Sequence, residues 1–266
     1  MSLSSVLTML SNSLRVHGFW GTIQRLFRAP YTIIVSRKKR KKIFSSVDPK
    51  DIFREIYATN YWGSSESVSG TGSTALYTEN LRLELPNLIA KYQIKSVFDA
   101  PCGDFNWMQS VIADLNVEYT GADIVPDLIA LNRSRHETPS VRFSISNIIT
   151  DPFPSVDLWI CRDCLIHFSY RDILFTLENF ASSGIKYMLT TSHINQVGFK
   201  NRDIQTGDAR LIDLFSEPFL FPSDYIEAID DWQRPDTPRR MIMFSAAQIK
   251  SALPKMRRSV IPGTTV

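Results

Sequence analysis

The stretch that most constrains the fold of this chain is Ser96-Val-Phe-Asp-Ala-Pro-Cys-Gly-Asp-Phe-Asn-Trp107. β-Branched and aromatic residues over Ser96 to Phe98 give way to Pro and Gly punctuation over Asp99 to Phe105, and Asn106 opens a helix. A buried strand, a tight turn and a helix are therefore predicted in direct succession. Such a unit belongs in an open α/β sheet, whose ligands bind beyond the carboxyl ends of the strands, where turn N–H groups receive polar groups. Tyr119 to Ile124 predicts the next strand, with Asp123 at its tip. A carboxylate there can accept two hydrogen bonds from a ribose diol.

Asp99-Ala-Pro-Cys-Gly-Asp-Phe105 resembles the acidic, glycine-containing nucleotide loop of class I S-adenosylmethionine (SAM)-dependent methyltransferases, and Asp123 matches that family's ribose-binding acid. The likeness spans roughly residues 61 to 246. Pro101 and Phe105 stand where the family's pattern often has glycines, which leaves Gly103 as the position of close backbone approach. The resemblance implies an α/β fold with a doubly wound, seven-stranded, mostly parallel sheet (the Rossmann-like methyltransferase fold). It also implies SAM as cofactor, held by Asp99, Pro101, Cys102, Gly103, Asp104, Trp107, Asp123, Ile124, Asn147, Ile148 and Arg162. Asn147 replaces the acid that often meets the adenine amino group, and its amide oxygen can still accept.

Val156-Asp-Leu-Trp-Ile-Cys-Arg-Asp-Cys-Leu-Ile-His-Phe168 begins as a continuous apolar strand and places Arg162, Asp163 and His167 beyond its end. These side chains are costly to bury unpaired, so a cleft is expected there. The segment resembles the family's fourth strand and following loop, where methyl donor and acceptor meet. His167 is the candidate base, since imidazole titrates near neutrality; Asp163 either orients it or is itself the base. A core histidine bonded to a backbone carbonyl is the competing account. Arg162 is also a candidate anion clamp for the acceptor, because a guanidinium stays protonated.

Tyr61 to Ser73 is rich in Ser and Gly and predicts a lid, with Trp62, Ser69, Gly70 and Ser73 assigned to lid or substrate contact; a plain flexible loop is the alternative. Helices are predicted from Pro49, with Asp48 as N-cap, to Tyr57, over Thr78 to Tyr92, Asn106 to Asp114 and Asp127 to His136, and from Tyr170, with Ser169 as N-cap, to Phe180. Further strands are predicted over Val141 to Ile148 and Ile185 to His193, then a closing antiparallel pair, Tyr225 to Ile229 and Arg240 to Ser245. The polar loop Asn195 to Arg210, which includes Arg202, is either an acceptor-binding loop or an exposed connection.

Charge divides the chain unevenly. Residues 1 to 50 hold ten Lys and Arg against Asp48 alone, and the remainder has 20 basic and 26 acidic residues. The body therefore lacks the basic stripe of a nucleic-acid enzyme. Residues 1–47 form a basic amphipathic extension, 48–95 a helical and lid segment, and 96–266 the SAM-binding domain. Residues 1 to 45 are expected to touch an anionic membrane surface peripherally, because Arg37-Lys-Lys-Arg-Lys-Lys42 follows aromatic residues and no apolar run approaches the ~20 residues of a spanning helix. A solvated linker or a nuclear address also fits that run. Three cysteines without a framework spacing point to a reducing, cytoplasmic compartment. Cys161 and Cys164 form a C-x-x-C with no second pair, so no metal is expected.

The expected activity is SAM-dependent methyl transfer to an O- or N-nucleophile of a small molecule or glycan. A nucleotide-dependent oxidoreductase is disfavoured because the turn lacks G-x-G-x-x-G. A non-catalytic SAM-fold interaction protein is disfavoured by polar groups at three successive strand tips.

Overall fold

A computed structural model describes residues 38–195 and 197–262. The chain divides into two units, Met1–Ser45 and Ser46–Val266. In the first, residues 38–43 are helical with Lys38, Arg40, Lys41 and Lys42 exposed. The amphipathic stretch expected before them lies outside the described residues. No described helix is long and apolar enough to cross a membrane.

The second unit is built on seven strands: β1 (Ser96–Asp99), β2 (Glu118–Asp123), β3 (Val141–Ile145), β4 (Leu158–Cys161), β5 (Tyr187–His193), β6 (Glu227–Asp230) and β7 (Arg239–Ser245). Their order is β3-β2-β1-β4-β5-β7-β6. The first five run parallel, and β7 is antiparallel to both β5 and β6. The segment 48–95 belongs to this same unit.

The central strands owe their position to composition. All four residues of β4 are buried, as expected of a strand covered on both faces by helices. On one face, α5 (Tyr170–Ser182) and α6 (Ala246–Val260) cover a cluster containing Trp159, Phe180 and Phe244. On the other, α2 (Glu79–Lys91), α3 (Met108–Ile112) and α4 (Pro126–His136) cover Leu85, Met108 and Ile129. Trp159 is wholly buried, yet its Nε1–H reaches the Ala100 carbonyl at 3.0 Å, so no polar atom of that ring is stranded.

Helix α1 (Pro49–Ala58) starts as expected, with Asp48 accepting the Lys50 N–H. Helix α6 was not foreseen, although Ser245 and Gln248 form a complete capping box, a signature legible as S-x-x-Q. Pro254 stands inside the helix.

Strand order fixes where a ligand can sit. The parallel strands all end on one edge, and the order reverses between β1 and β4, which opens a crevice beyond Asp99 and Cys161.

Candidate active site

A cavity of about 340 Å³ lies at that crevice, a size suited to a small-molecule site. Pro101, Cys102 and Gly103 line it from the turn after β1, and Asp123 and Ile124 from the tip of β2. Asn147 and Ile148 enter after β3, and Arg162, Asp163 and His167 after β4. Trp62, Ser69, Gly70 and Ser73 complete the wall from the predicted lid.

Gly103 is required by its backbone. Its φ is +54°, and a Cβ there would stand 2.1 Å from Ser69 Oγ. Its N–H donates to Asp123 Oδ2 at 3.3 Å, and the Val125 N–H donates to Oδ1 at 3.0 Å. Burial nonetheless pushes the Asp123 carboxyl up to about 6, with these backbone bonds opposing. Phe105, also left-handed with φ 59°, fills a glycine-like position by packing its ring 5.1 Å from both Tyr119 and Phe143. That contact offsets a backbone cost of about 1–2 kcal/mol.

Four expected cofactor contacts have other partners. Asp99 does not line the cavity; it is buried and accepts the Tyr119 hydroxyl at 2.6 Å. Burial pushes its carboxyl up to about 7. A folded value above the unfolded one favours the folded state in acid, and that contribution is lost as pH rises through about 7. Asp104 faces the lid instead of the cavity, accepting Ser67 Oγ at 3.0 Å and the Val68 N–H at 2.9 Å. Trp107 lies outside the cavity wall, its ring 5.5 Å from the Arg162 guanidinium.

Arg162 touches the wall but is committed elsewhere. It grips the buried Asp231 through Nε at 2.8 Å and Nη2 at 3.0 Å, and Nη2 also donates to the Gly72 carbonyl at 2.7 Å. Its guanidinium therefore ties residue 72 of the Ser/Gly-rich segment to the end of β4, and the acceptor clamp expected of it is replaced by this pairing. Arg239 adds a second cation 2.9 Å from Asp163 Oδ2, with its guanidinium 4.9 Å from the centre of the Tyr77 ring. Asp231, Arg239 and Tyr77 were not foreseen, because nothing local in the sequence marks them as partners of residue 162.

His167 lies in the cavity wall and satisfies part of the competing account as well. Its Nδ1 is 2.9 Å from the Asp208 carbonyl oxygen. A carbonyl can only accept, so Nδ1 carries the proton and Nε2 keeps a lone pair. Burial lowers the affinity of His167 for a further proton, partly offset by Asp208 and Asp163. The ring packs against Trp62 in a tilted arrangement, centroids 5.1 Å apart at 31°. The orienting group is thus the Asp208 carbonyl, and the expectation that Asp163 orients the ring is corrected. Asp163 is a poor base as well: burial works to raise its carboxyl, but Arg162 and Arg239 outweigh that and hold it below the usual range.

The described part of the polar loop, 197–210, packs on the start of α5, with the Tyr170 N–H donating to Asp203 and the Ser169 N–H to Thr206. Arg202 is exposed, lies outside the cavity wall, and donates to the Ala209 carbonyl at 3.1 Å. Asn201 donates to the Asp213 and Glu217 carbonyls, both at 2.8 Å. Cys102, Cys161 and Cys164 are free and buried, and burial pushes the Cys102 and Cys164 thiols up. Among the described residues, no group of three or more His, Cys, Asp or Glu could hold a metal ion.

The same sheet recurs in solved structures. Magnesium protoporphyrin IX methyltransferase from Synechocystis, with bound S-adenosylhomocysteine (SAH), superposes with a TM-score of 0.51 at 11% identity, covering 74% of this chain and 97% of that one. A SAM-dependent methyltransferase from Leishmania major superposes with a TM-score of 0.56 at 13% identity, covering 77% and 88%. The chain has the class I methyltransferase fold. No family model matches its sequence, and no curated protein matches it. Within that fold, Asp123 ends β2 and Gly103 lies in the turn after β1, the strand on one side of the switch point.

Proposed function

We propose that this protein is a SAM-dependent methyltransferase acting on an O- or N-nucleophile of a small molecule. The observation that carries this reading is one cavity holding both a buried acid at the β2 tip and a histidine with a fixed tautomer after β4. SAM supplies an already activated methyl group. Asp123 would hold the ribose hydroxyls, Ile124 and Ile148 would flank the base, and the Gly103 turn would admit the amino-acid part. His167 would accept the proton that the nucleophile loses. A glycan acceptor is the alternative; Asn201 and Arg202, which suited it in the sequence, donate to the Asp213, Glu217 and Ala209 carbonyls, and neither lines the cavity.

Calorimetric titration with SAH tests the reading. Ribose hydroxyls donate to the ionised carboxylate, so affinity is expected to fall as pH drops through about 6, the range where Asp123 takes up a proton. Asp123→Ala should weaken SAH binding by about 1–3 kcal/mol and flatten that pH dependence. A folded variant that binds SAH like the parent at every pH would assign the ribose contact elsewhere.

We further propose that residues 1 to 45 attach the protein to an anionic membrane on the cytoplasmic side, supported by the exposed Lys38, Arg40, Lys41 and Lys42. Co-sedimentation with phosphatidylserine vesicles is expected at low salt and lost at high salt. Failure to co-sediment at low salt would count decisively against it.

A further inference from the structure

One end of the cavity is built from rings. Pro49, Phe53 and Tyr57 stand four residues apart on α1 and so share a face, and all three line the cavity, while Ile52 and Ile56 are buried. Phe53 packs against Phe168 with centroids 6.1 Å apart, and Trp62 against His167 at 5.1 Å. Two ring pairs therefore meet at the same cavity, one of them containing the candidate base.

Several charged and polar side chains of the cavity wall are already paired within the protein. Arg162 is bound by Asp231 and Gly72. Asp163 lies between Arg162 and Arg239 and accepts the Thr191 hydroxyl at 3.2 Å. The hydroxyl of Ser69 donates to Asp104 at 3.4 Å, beside the Gly103 turn at the cofactor end. The rings of Phe53, Trp62 and Phe168 themselves offer sugar hydroxyls no hydrogen-bond partner in exchange for the water they would displace.

We infer that the acceptor is a flat aromatic molecule bearing a hydroxyl or amino group, lying against the Phe53–Phe168 and Trp62–His167 pairs with its nucleophile at His167 Nε2. This rests on the methyl-transfer reading above and adds the substrate class. The centroid separations of these tilted pairs lie in the range of favourable aromatic contacts, so a planar aromatic guest can add further ring contacts of the same kind. The Asp208 carbonyl keeps the Nε2 lone pair available. For a hydroxyl acceptor, an oxygen lone pair forms the bond to the methyl carbon as the carbon–sulfur bond breaks. The electron pair of that bond stays on sulfur, which becomes neutral, and the hydroxyl proton passes to Nε2.

The test uses the full chain in two stages. SAH binding is measured first by calorimetry; if SAH fails to bind, the methyl-transfer reading falls and this inference falls with it. The SAH-saturated protein is then titrated with 2-naphthol, its saturated analogue decahydro-2-naphthol, and methyl α-glucoside. The expected result is 2-naphthol binding about 10-fold or more tighter than the puckered alcohol, with no binding of the glucoside. Phe53→Leu and Trp62→Leu should each shrink that preference while SAH affinity holds. Equal or tighter binding of either non-planar probe, or binding of none of the three to SAH-loaded protein, overturns the aromatic acceptor and leaves the cofactor assignment standing. The wild-type comparison decides the matter even where a variant fails to fold.

Discussion

Gly103→Val is expected to abolish measurable SAH binding. A side chain at residue 103 meets two obstacles at once. Its Cβ would stand 2.1 Å from Ser69 Oγ and 3.1 Å from Ser69 Cβ, and its backbone would keep a φ of +54° that branched residues avoid. Overpacking of this kind costs about 1–3 kcal/mol. The left-handed backbone adds about 1–2 kcal/mol. Rotating the Ser69 hydroxyl relieves the shortest contact, but Ser69 Cβ and the left-handed backbone remain, and the branched Val side chain adds atoms beyond Cβ. Displacing residues 67–69 to make room would break the bonds from Ser67 and Val68 to Asp104. A rescue experiment separates this from general misfolding. Gly103→Ala should weaken binding, and adding Ser69→Gly should restore part of it, because the second change removes both clashing atoms. If Gly103→Val binds SAH like the parent while folded, the turn after β1 does not form the cofactor site.

His167→Ala should lower turnover by ~10²–10⁴, once an acceptor is found by transfer of labelled methyl, and leave SAH affinity nearly unchanged. Burial depresses the basicity of His167, so the neutral ring prevails at pH 7 and activity should fall on the acid side as Nε2 takes up a proton. Measured at saturating SAM, where protonation of Asp123 no longer limits turnover, that acid limb should vanish in the variant. Asp163→Asn makes a useful contrast. It removes the charge shared by Arg162 and Arg239, so it should lower stability along with activity while keeping the acid limb. An unchanged rate and pH profile in His167→Ala would assign the histidine to structure alone.

Tests of this kind are informative because the sequence had already committed to the sheet and to its two marked tips. Apolar runs bounded by Pro and Gly located all seven strands, since strand period and turn chemistry are local properties of the chain. Gly103 and Asp123 were legible for the same reason: one follows a strand as its turn glycine, the other closes the next strand as its last acid. Helix α6 also carries a local signature, the Ser245–Gln248 capping box, although it was not among the expected helices.

The roles of the remaining polar side chains were decided by partners far along the chain. Arg162 looked free until Asp231, 69 positions away, took its guanidinium. Asp104 looked like a cofactor ligand until Ser67 and Val68 arrived from 37 and 36 positions before it. The tautomer of His167 is set by a carbonyl 41 positions on, which no residue type could announce because every residue carries one. Helix α1 was expected from its cap, but only the packed fold shows that Pro49, Phe53 and Tyr57 line the cavity. A charge or donor is defined by what it meets, and pairing across a sheet is non-local. The sequence by itself therefore determined the scaffold and its two marked tips, while the tertiary structure decided which charges hold the fold together and which group is left to meet a substrate.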